Sequence, residues 1–551
     1  MQSLERAHGR PLRVLHIGNI ANNAYNNAKI QRARGIEADV LCFDYYHVMA
    51  CPEWEDADFA GDVGDPNLPD WWAVELRGFR RPRWFVQGPL DASVRYLLAR
   101  TAGRKRNADR LWQLLEMERW LLCRRSRWRD LVLAAVVKLS GAAIGLAVPA
   151  HGLIALHLGR RLLWLGDRPA IRRLRLGRAI ARRGRAAARF GRTAHIAQDA
   201  DRHLRAMKRY RVATEKRCAM LFAEIGRCDP PDDLEFFYRW WWHPYLPRLL
   251  RRYDIVQCYA TYTAIPFVVG KTDYVAYEHG TLRSIPFEPT AEGRMCLASY
   301  RGAAAIMITN IDNLDAAERM QLDAERVCCL PHAFDSDKLL RFARDNPPPR
   351  QAARGPVMFF TPTRQHWVDG DPGWGKGNDR VFRAMRRLRD EDLVFRLRAV
   401  AWGNDLAESR ELAKTLDLDD LIDWVPTRMK RQLWAEYLRA DCVIDQFLVP
   451  ALGGVGFEAM MLARPVITAI DEVRAARFFG KSPPLFACGS VEEIAAAMRA
   501  VITDPAGAAA RGAACREWMQ RYHSADRIVD LQLATYRRIL DPQWSNTEQA
   551  A

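Results

Sequence analysis

A glycine-rich run that leads into a helical pattern is the stretch of this chain best suited to binding a small anionic ligand. Residues 445–460 read DQFLVPALGGVGFEAM, with Gly453, Gly454 and Gly456 where a strand pattern gives way to a helix. Glycines let a backbone approach a ligand closely, and the N–H groups that begin a helix attract phosphate. Glu458, in the first turn, can accept hydrogen bonds from hydroxyls, although a carboxylate there also simply suits the helix dipole.

Two cations upstream stand on loops of the same half of the chain. Arg364 closes the run TPTR after a strand pattern, and Lys376 opens the run KGN before a helical pattern. An arginine fork and a lysine point charge at one sheet edge can together neutralise a diphosphate. Two ordinary surface cations in a basic protein are the simpler interpretation, and it stays open at this point.

A third group of polar residues follows strand patterns in the first half of the chain. His279 ends a strand pattern in the run EHGT, where it can exchange a proton or bind a hydroxyl, or serve only as a structural histidine. Gly18 and Asn19 begin a loop of small polar residues after the first strand pattern and are placed to line the same cleft. That loop lacks G-x-G-x-x-G, so the dinucleotide fingerprint is absent.

Other polar and aromatic clusters carry weaker signals. Asp369 and Asp371 have the D-x-D form that can hold a metal ion, but a turn explains three residues of this type equally well. The Trp240–Trp242 run has no spacing typical of a site, so we expect burial in a core or interface. The twelve cysteines include no C-x-x-C pair and show no zinc or disulfide pattern, which suits a reducing cytosol.

Alternating strand and helix patterns are the elements that must position these residues. The run 12–17 is a short apolar strand pattern, a helical stretch follows at about 24–34, and a second strand pattern lies at 40–43. Later strand patterns fall at 253–258, 274–277, 304–309, 326–330, 357–360, 393–400, 421–424, 442–445 and 466–469. With a proline-rich linker at 345–350, the pattern predicts two doubly wound α/β domains, with ligand between the carboxyl ends of both sheets.

The basic residues concentrate in one helical insertion. The chain has 551 residues and a net charge of +17, yet Arg100–Arg217 holds 30 Lys and Arg against 8 Asp and Glu, leaving 53 against 58 elsewhere. The overall charge is therefore a weak argument for a DNA-binding role. Hydrophobic residues make up 49% of the sequence, which indicates a globular chain. The predicted division is 1–94 and 212–345 for the first domain, 95–211 for the insertion, 346–520 for the second domain, and 521–551 for a final helix and tail.

One apolar stretch within the insertion raises the question of a membrane. Leu139–Leu158 has no charged residue, but glycines, a proline and histidines dilute its hydrophobicity. Because strands on either side should share one sheet, we expect a re-entrant or monotopic contact or a buried helical pair. The N-terminus lacks a secretory apolar core, so we expect a cytoplasmic protein, peripheral on the inner face of the cytoplasmic membrane through Arg100–Arg217. Nucleic acid ranks lowest as a partner, because nothing resembles a base-reading module.

Taken together, these features resemble the retaining glycosyltransferases of family 4, which have the GT-B fold of two Rossmann-like domains. The likeness covers roughly residues 11–60 and 253–520 and leaves out the insertion. Its specific part is the order of landmarks in the second half: TPTR, KGND, AWG, ADCVIDQF and GGVGFEAMMLARPVI. The resemblance implies transfer of a sugar from a nucleotide-sugar donor to a glycan or lipid-linked acceptor, with retention of configuration.

The resemblance also implies roles for the residues of the second domain. Arg364 and Lys376 match the pair that contacts the donor diphosphate, and Glu458 matches the glutamate that holds the nucleotide ribose. Gly453 and Gly454 match the turn against the donor. Cations and a helix N-terminus can stabilise a departing nucleoside diphosphate. We therefore expect neither a metal ion nor a cofactor, the nucleotide sugar being a substrate.

In the first domain, His279 resembles the histidine that lies over the transferred sugar, and Gly18 matches the glycine-rich loop after the first strand. One position departs from the family. Pro450 stands where the resemblance calls for a first glutamate that contacts donor-sugar hydroxyls, and Asp445 or Gln446 are the candidates to replace it. Two other interpretations stay open: a sugar-nucleotide epimerase or phosphorylase of the same fold, and a degenerate transferase retained as a binding protein.

Overall fold

The structure is a computed structural model that describes residues 10–123, 194–224, 242–347, 355–370 and 375–541. Within these residues the chain forms two parallel sheets, each flanked by helices. The first sheet contains β1 (Arg13–Ile17), β2 (Glu37–Cys42), β3 (Phe85–Gln87), β4 (Ile255–Tyr259), β5 (Tyr274–Tyr277), β6 (Ala305–Ile308) and β7 (Val327–Cys329). The second contains β8 (Val357–Thr361), β9 (Phe395–Val400), β10 (Ile422–Val425), β11 (Cys442–Ile444), β12 (Val466–Thr468) and β13 (Phe486–Ala487).

Both sheets reverse their strand order at one point. The first runs β3-β2-β1-β4-β5-β6-β7 and the second β10-β9-β8-β11-β12-β13, with every described pairing parallel. The central strands are apolar and buried along most of their length, as in parallel sheets covered on both faces. The predicted fold class of two Rossmann-like, doubly wound domains is confirmed. Ligands of such sheets bind beyond the carboxyl ends of the strands, where the order reverses.

Helices cover both faces of the sheets. Those before β8 are α1 (Asn23–Ala33), α2 (Pro52–Asp56), α3 (Leu90–Thr101), α4 (Lys105–Cys123), α5 (Ala194–Ala223), α6 (Leu246–Leu250), α7 (Ala264–Val268), α8 (Ala291–Arg301), α9 (Leu314–Arg319) and α10 (Ser336–Asp345). Those after β8 are α11 (Asn378–Asp390), α12 (Leu406–Thr415), α13 (Lys430–Arg439), α14 (Gly454–Met461), α15 (Glu472–Phe479), α16 (Val491–Thr503), α17 (Pro505–Tyr522) and α18 (Ala525–Leu540).

The edge strands β3 and β13 are absent from the sequence-based prediction. They have three and two residues, too few for an apolar run to stand out from a loop. The other predicted strand patterns coincide with observed strands to within a few residues. The predicted helix at about 24–34 is α1, shifted by one residue.

The basic segment lies in the connection between β3 and β4, where the strand order of the first sheet reverses. Of its described parts, α5 buries Thr214, Cys218 and Phe222, four residues apart and therefore on one helix face, against the first domain. Arg217 lies with its guanidinium 4.3 Å from the centre of the Phe267 ring. The C-terminal end of α5 is thus part of the first domain's core, while residues 124–193 lie outside the described parts.

The C-terminal helix α18 returns to the first sheet. Gln31 donates from its amide to Oε1 of Gln532 at 2.8 Å, and the hydroxyl of Tyr536 donates to Oε1 of Gln257 at 2.7 Å. Both bonds are buried, so they tie this helix to β4 and α1 in a defined register. In the described parts of the chain, no helix is long and apolar enough to cross a bilayer. The Leu139–Leu158 stretch lies outside them.

Candidate functional site

The loop after β1 begins with a glycine whose conformation and surroundings disfavour any side chain. Gly18 has φ +89°, and a Cβ built on it would lie 2.4 Å from a ring carbon of Tyr262. The side chain of Asn19 is buried and fully engaged, because its Nδ2 donates to the carbonyl of Ala50 at 2.8 Å and its Oδ1 accepts from the backbone of Tyr25 at 2.9 Å. The hydrogen bonds of Asn19 therefore hold the loop in place, while the positive φ of Gly18 sets the direction in which the loop leaves β1.

His279 lies beyond the end of β5 and is held by a residue of α1. Asn23 donates from Nδ2 to Nδ1 of His279 at 3.0 Å. Burial, together with the nearby Arg283, lowers the pKa of His279 to about 4. At neutral pH the imidazole is therefore uncharged with its proton on Nε2, so it can donate a hydrogen bond to a hydroxyl but is a weak general acid.

A second histidine, which the sequence analysis missed, stands beside the first. The rings of His279 and His332 meet edge to face with centroids 5.4 Å apart. Nδ1 of His332 lies 3.0 Å from Oδ1 of Asn23, so one asparagine orients both imidazoles. Burial and the neighbouring His279 lower the pKa of His332. Its position just after β7 was the available signal, since residues beyond parallel strands meet at one sheet edge.

The carboxylate of Glu278 stabilises the loops next to the two histidines. It is fully buried, and its carboxylate accepts hydrogen bonds from the backbone and hydroxyl of Thr309, from Asn310 at 2.9 Å and from Asn313 at 2.6 Å. Burial raises the pKa of Glu278, whereas the amide and hydroxyl donors oppose that rise. The carboxylate thus fixes the loop after β6 against the loop that carries His279.

In the second domain, the two predicted cations come together. Lys376 donates from Nζ to Oε1 of Gln446, and burial lowers its pKa, with Arg364 and Arg283 acting in the same direction and Asp445 opposing them. Arg283 belongs to the first domain, where it pairs with Asp312 at 2.5 Å, so cations of both domains act on Lys376. Mutual repulsion of this kind is what an incoming polyanion such as a diphosphate relieves.

The glycine turn before α14 has no side chains of its own to cover its backbone N–H groups. Gly453 caps the helix in an extended conformation, and a Cβ at either Gly453 or Gly454 would meet no atom within 4 Å. Open space at the start of α14 gives an anion access to backbone N–H groups. The structure therefore places the predicted turn on the same sheet edge as Lys376, which Gln446 and the backbone bond from Phe447 to Lys376 connect to this loop.

Glu458 is buried with 5% exposure and forms an ion pair. Its Oε1 accepts from Nζ of Lys430, the first residue of α13. The same Nζ lies 3.5 Å from Oε2 of Glu55, which belongs to the first domain. Neither Lys430 nor Glu55 carried a sequence signal, because 28 and 403 residues of chain separate them from Glu458.

The structure also shows what surrounds Pro450. Its side chain is exposed, while Gln446 turns inward and donates from Nε2 to the carbonyls of Val449 and Ala451. Both ends of the Gln446 amide are therefore engaged, the nitrogen with the carbonyls of the loop and the oxygen with Lys376. Asp445 is buried and accepts from the hydroxyl of Thr363 at 2.9 Å, and burial raises its pKa. Of the two candidates to replace the missing glutamate, Asp445 is the one that has a carboxylate.

The remaining sequence candidates lie elsewhere. Asp369 is 3.2 Å from Nε2 of His366, and Asp371 lies outside the described residues. Trp242 packs at the edge of the first domain's core, and Trp240 and Trp241 are not described. In the parts of the chain that the structure covers, no group of three or more His, Cys, Asp or Glu side chains is arranged to hold a metal ion.

The second domain of the chain matches a known protein family. Residues 373–518 match the family model described as glycosyl transferases group 1. A curated relative, the 2-deoxystreptamine glucosyltransferase of Streptomyces kanamyceticus, is 27% identical over 188 residues, which is 34% of this chain. The chain spans 46% of the length of that relative.

Two solved structures are also similar. The Anabaena protein HepE in complex with UDP and glucose is 15% identical, over 55% of this chain and 83% of that one, with a TM-score of 0.41. Sucrose-phosphate synthase from Thermosynechococcus elongatus is 16% identical, over 56% and 80%, with a TM-score of 0.40. The chain's own parallel sheets, and not these weak superpositions, define its fold. The segment that matches glycosyl transferases group 1 contains Lys376, the Gly453–Gly454 turn and Glu458.

Proposed function

We propose that this chain is a glycosyltransferase that moves a sugar from a nucleotide-sugar donor to a glycan or lipid-linked acceptor. The observation that carries the proposal is one sheet edge bearing a half-buried cation, Lys376, an open helix start at Gly454 and a buried carboxylate, Glu458. A diphosphate suits the first two, and ribose hydroxyls suit the third. All three lie in the segment that matches glycosyl transferases group 1.

Charge stabilisation is the main task of such a site. Transfer breaks the bond between the anomeric carbon and a diphosphate oxygen, so negative charge develops on the leaving group. Lys376, Arg364 and Arg283, with the N–H groups at the start of α14, face that charge. We propose that these groups serve in place of a metal ion, so that the reaction needs none.

The first domain supplies the other wall of the cleft. Neutral His279, held by Asn23, donates its Nε2 proton to a hydroxyl of the transferred sugar. We propose retention, as in family 4: the acceptor oxygen bonds to the anomeric carbon on the face that the diphosphate leaves. The acceptor proton then passes to the departing diphosphate oxygen, so no base from the protein is required.

We also propose that the enzyme docks on an anionic membrane as a peripheral protein of the cytoplasmic face. The supporting observation is a groove of about 260 Å³ between α3, α4 and α6. Arg95, Arg104, Arg248 and Arg252 line it together with apolar side chains such as Leu98. Arginines around an apolar floor suit a phospholipid headgroup. Flotation with anionic and neutral vesicles tests this part, and equal binding to both would contradict it.

Binding measurements with nucleoside diphosphates test the site itself. UDP, GDP and ADP, and their glucose conjugates, are screened by thermal shift and then by calorimetry. Lys376→Met should weaken the preferred diphosphate about 10- to 100-fold, the range for a lost charge-assisted bond, yet leave the bare nucleoside within about twofold. Glu458→Gln should weaken nucleoside and diphosphate alike.

Arg383→Met is the matched control, because Arg383 lies on the surface of α11 and pairs with Asp379. It removes a cation from the same domain and should change neither affinity. A wild type that binds no nucleoside diphosphate, or a Lys376→Met variant that loses nucleoside binding equally, contradicts the assignment of the site. Release of nucleoside diphosphate with a new glycosidic product separates transfer from epimerisation.

A further inference from the structure

A network of charged side chains joins the two domains next to the cleft. It contains three lysines and four carboxylates, buried or half-buried: Lys29, Glu55, Asp56, Asp335, Lys338, Lys430 and Glu458. Glu458 and Lys430 belong to the second domain and the others precede β8. We call these seven residues the junction network. Its only described link from the first domain to Glu458 runs through Lys430.

Lys430 occupies a position that a cation normally avoids. It is the first residue of α13, where the helix dipole disfavours positive charge. Two carboxylates compensate: Glu458, in direct contact, and Glu55, 3.5 Å away. Burial alone would lower the pKa of Lys430, but these two carboxylates outweigh it and raise the pKa, so the ammonium stays charged. A residue placed against local preference and held by tertiary contacts is typical of a functional position.

Glu55 is itself firmly held. Nζ of Lys338 donates to Oε1 of Glu55 at 2.7 Å and to its backbone carbonyl at 2.9 Å, and the same ammonium lies 5.2 Å from the centre of the Trp434 ring on α13. Burial would raise the pKa of Glu55, but Lys338 and Lys430 lower it well below its ordinary value. Glu55 is therefore a fixed negative charge that the first domain presents to Lys430.

We propose that Lys430 is a positioning residue for the nucleotide: it keeps Glu458 oriented for the ribose, and Glu55 of the first domain keeps Lys430 in place. The proposal rests on the proposed function, since it assigns a ligand to Glu458. It goes beyond that function by making nucleotide affinity depend on a carboxylate of the other domain.

Lys430 is the described cation in direct contact with the carboxylate of Glu458, and Glu55 is the second carboxylate beside the same ammonium. Without Lys430, Glu458 loses the charge-assisted bond that orients its carboxylate for the ribose hydroxyls.

Calorimetry tests this, with whichever of UDP, GDP and ADP binds the wild type best. Lys430→Met should weaken binding about tenfold, because Glu458 loses its charge-assisted bond to Lys430. Lys430→Arg, which keeps the charge, should behave like the wild type. In a Glu458→Gln background, Lys430→Met should have no further effect.

A second pair of variants separates the role of Glu55 from general weakening of the domain contact. Glu55→Gln should lower the affinity about three- to fivefold, since Lys430 loses one of its two anchors. Asp315→Asn also removes a carboxylate that crosses the domains, the partner of Arg474, but it does not touch the junction network. It should leave the affinity unchanged.

The outcomes are distinct. A wild type that binds none of the three nucleotides overturns the proposed function and this inference with it. A wild type that binds while Lys430→Met binds equally well, or loses as much affinity in the Glu458→Gln background as in the wild type, overturns the inference alone. So does a result in which Glu55→Gln and Asp315→Asn behave alike. Urea unfolding of each variant confirms that the compared proteins are folded.

Discussion

His16 makes the first domain sensitive to acid. The side chain is fully buried in β1, where Nδ1 lies 2.9 Å from the hydroxyl of Tyr259 and Nε2 lies 2.9 Å from Oε1 of Gln31. The amide nitrogen of Gln31 is committed to Gln532, so its oxygen faces His16 and the imidazole proton lies on Nε2. Burial lowers the pKa of His16 to about 4 from an ordinary 6.5. The neutral ring fits this site, and the charged ring does not.

The sign of the effect follows from proton linkage. Below pH 6.5 the unfolded chain takes up a proton that the folded chain refuses, so the free energy of unfolding falls as pH drops toward 4. For His16 alone, the loss between pH 7.5 and pH 5 is about 2 kcal/mol. His16→Gln retains an amide donor for Gln31 and cannot titrate. We expect it to be less stable at pH 7.5, yet to lose about 2 kcal/mol less than the wild type on acidification.

Urea unfolding followed by circular dichroism at both pH values measures this difference. The comparison uses the change with pH within each protein, so a baseline loss of stability from the substitution cancels. Equal pH dependence in wild type and His16→Gln would refute the reasoning.

Three further predictions concern the walls of the cleft. Glu278→Gln places an amide nitrogen against donors and should lower the free energy of unfolding by about 2–3 kcal/mol, measured in urea. Gly18→Ala forces a methyl group into the ring of Tyr262 at a positive φ, and thermal unfolding should show about 1–3 kcal/mol of destabilisation. Gln446→Ala removes the bond that holds the ammonium of Lys376 in position. It should weaken nucleoside diphosphate binding about tenfold, measured by calorimetry, without changing nucleoside binding.

Local pattern was sufficient for most of the fold. Parallel strands buried on both faces are continuous apolar runs, so β5 and β8 stand out in the sequence at nearly their observed bounds. The signal at Gly18 was equally informative, because the positive φ that favours glycine there is a local property of the backbone. The order of strands then placed the loops that follow them at one sheet edge.

Partners from distant parts of the chain could not be predicted in this way. Asn23 orients His279 and His332 from α1, and no spacing relates the three positions. Lys430 even violates the local preference of a helix start, because only the packed domains bring carboxylates to it.

The sequence by itself therefore determined the two sheets and the loops at their carboxyl ends that carry the candidate residues. The tertiary structure decided which partners each of those residues has. The reason is physical: strand and turn preferences act over a few residues, whereas burial and charge pairing act between atoms a few ångströms apart, whatever length of chain separates them.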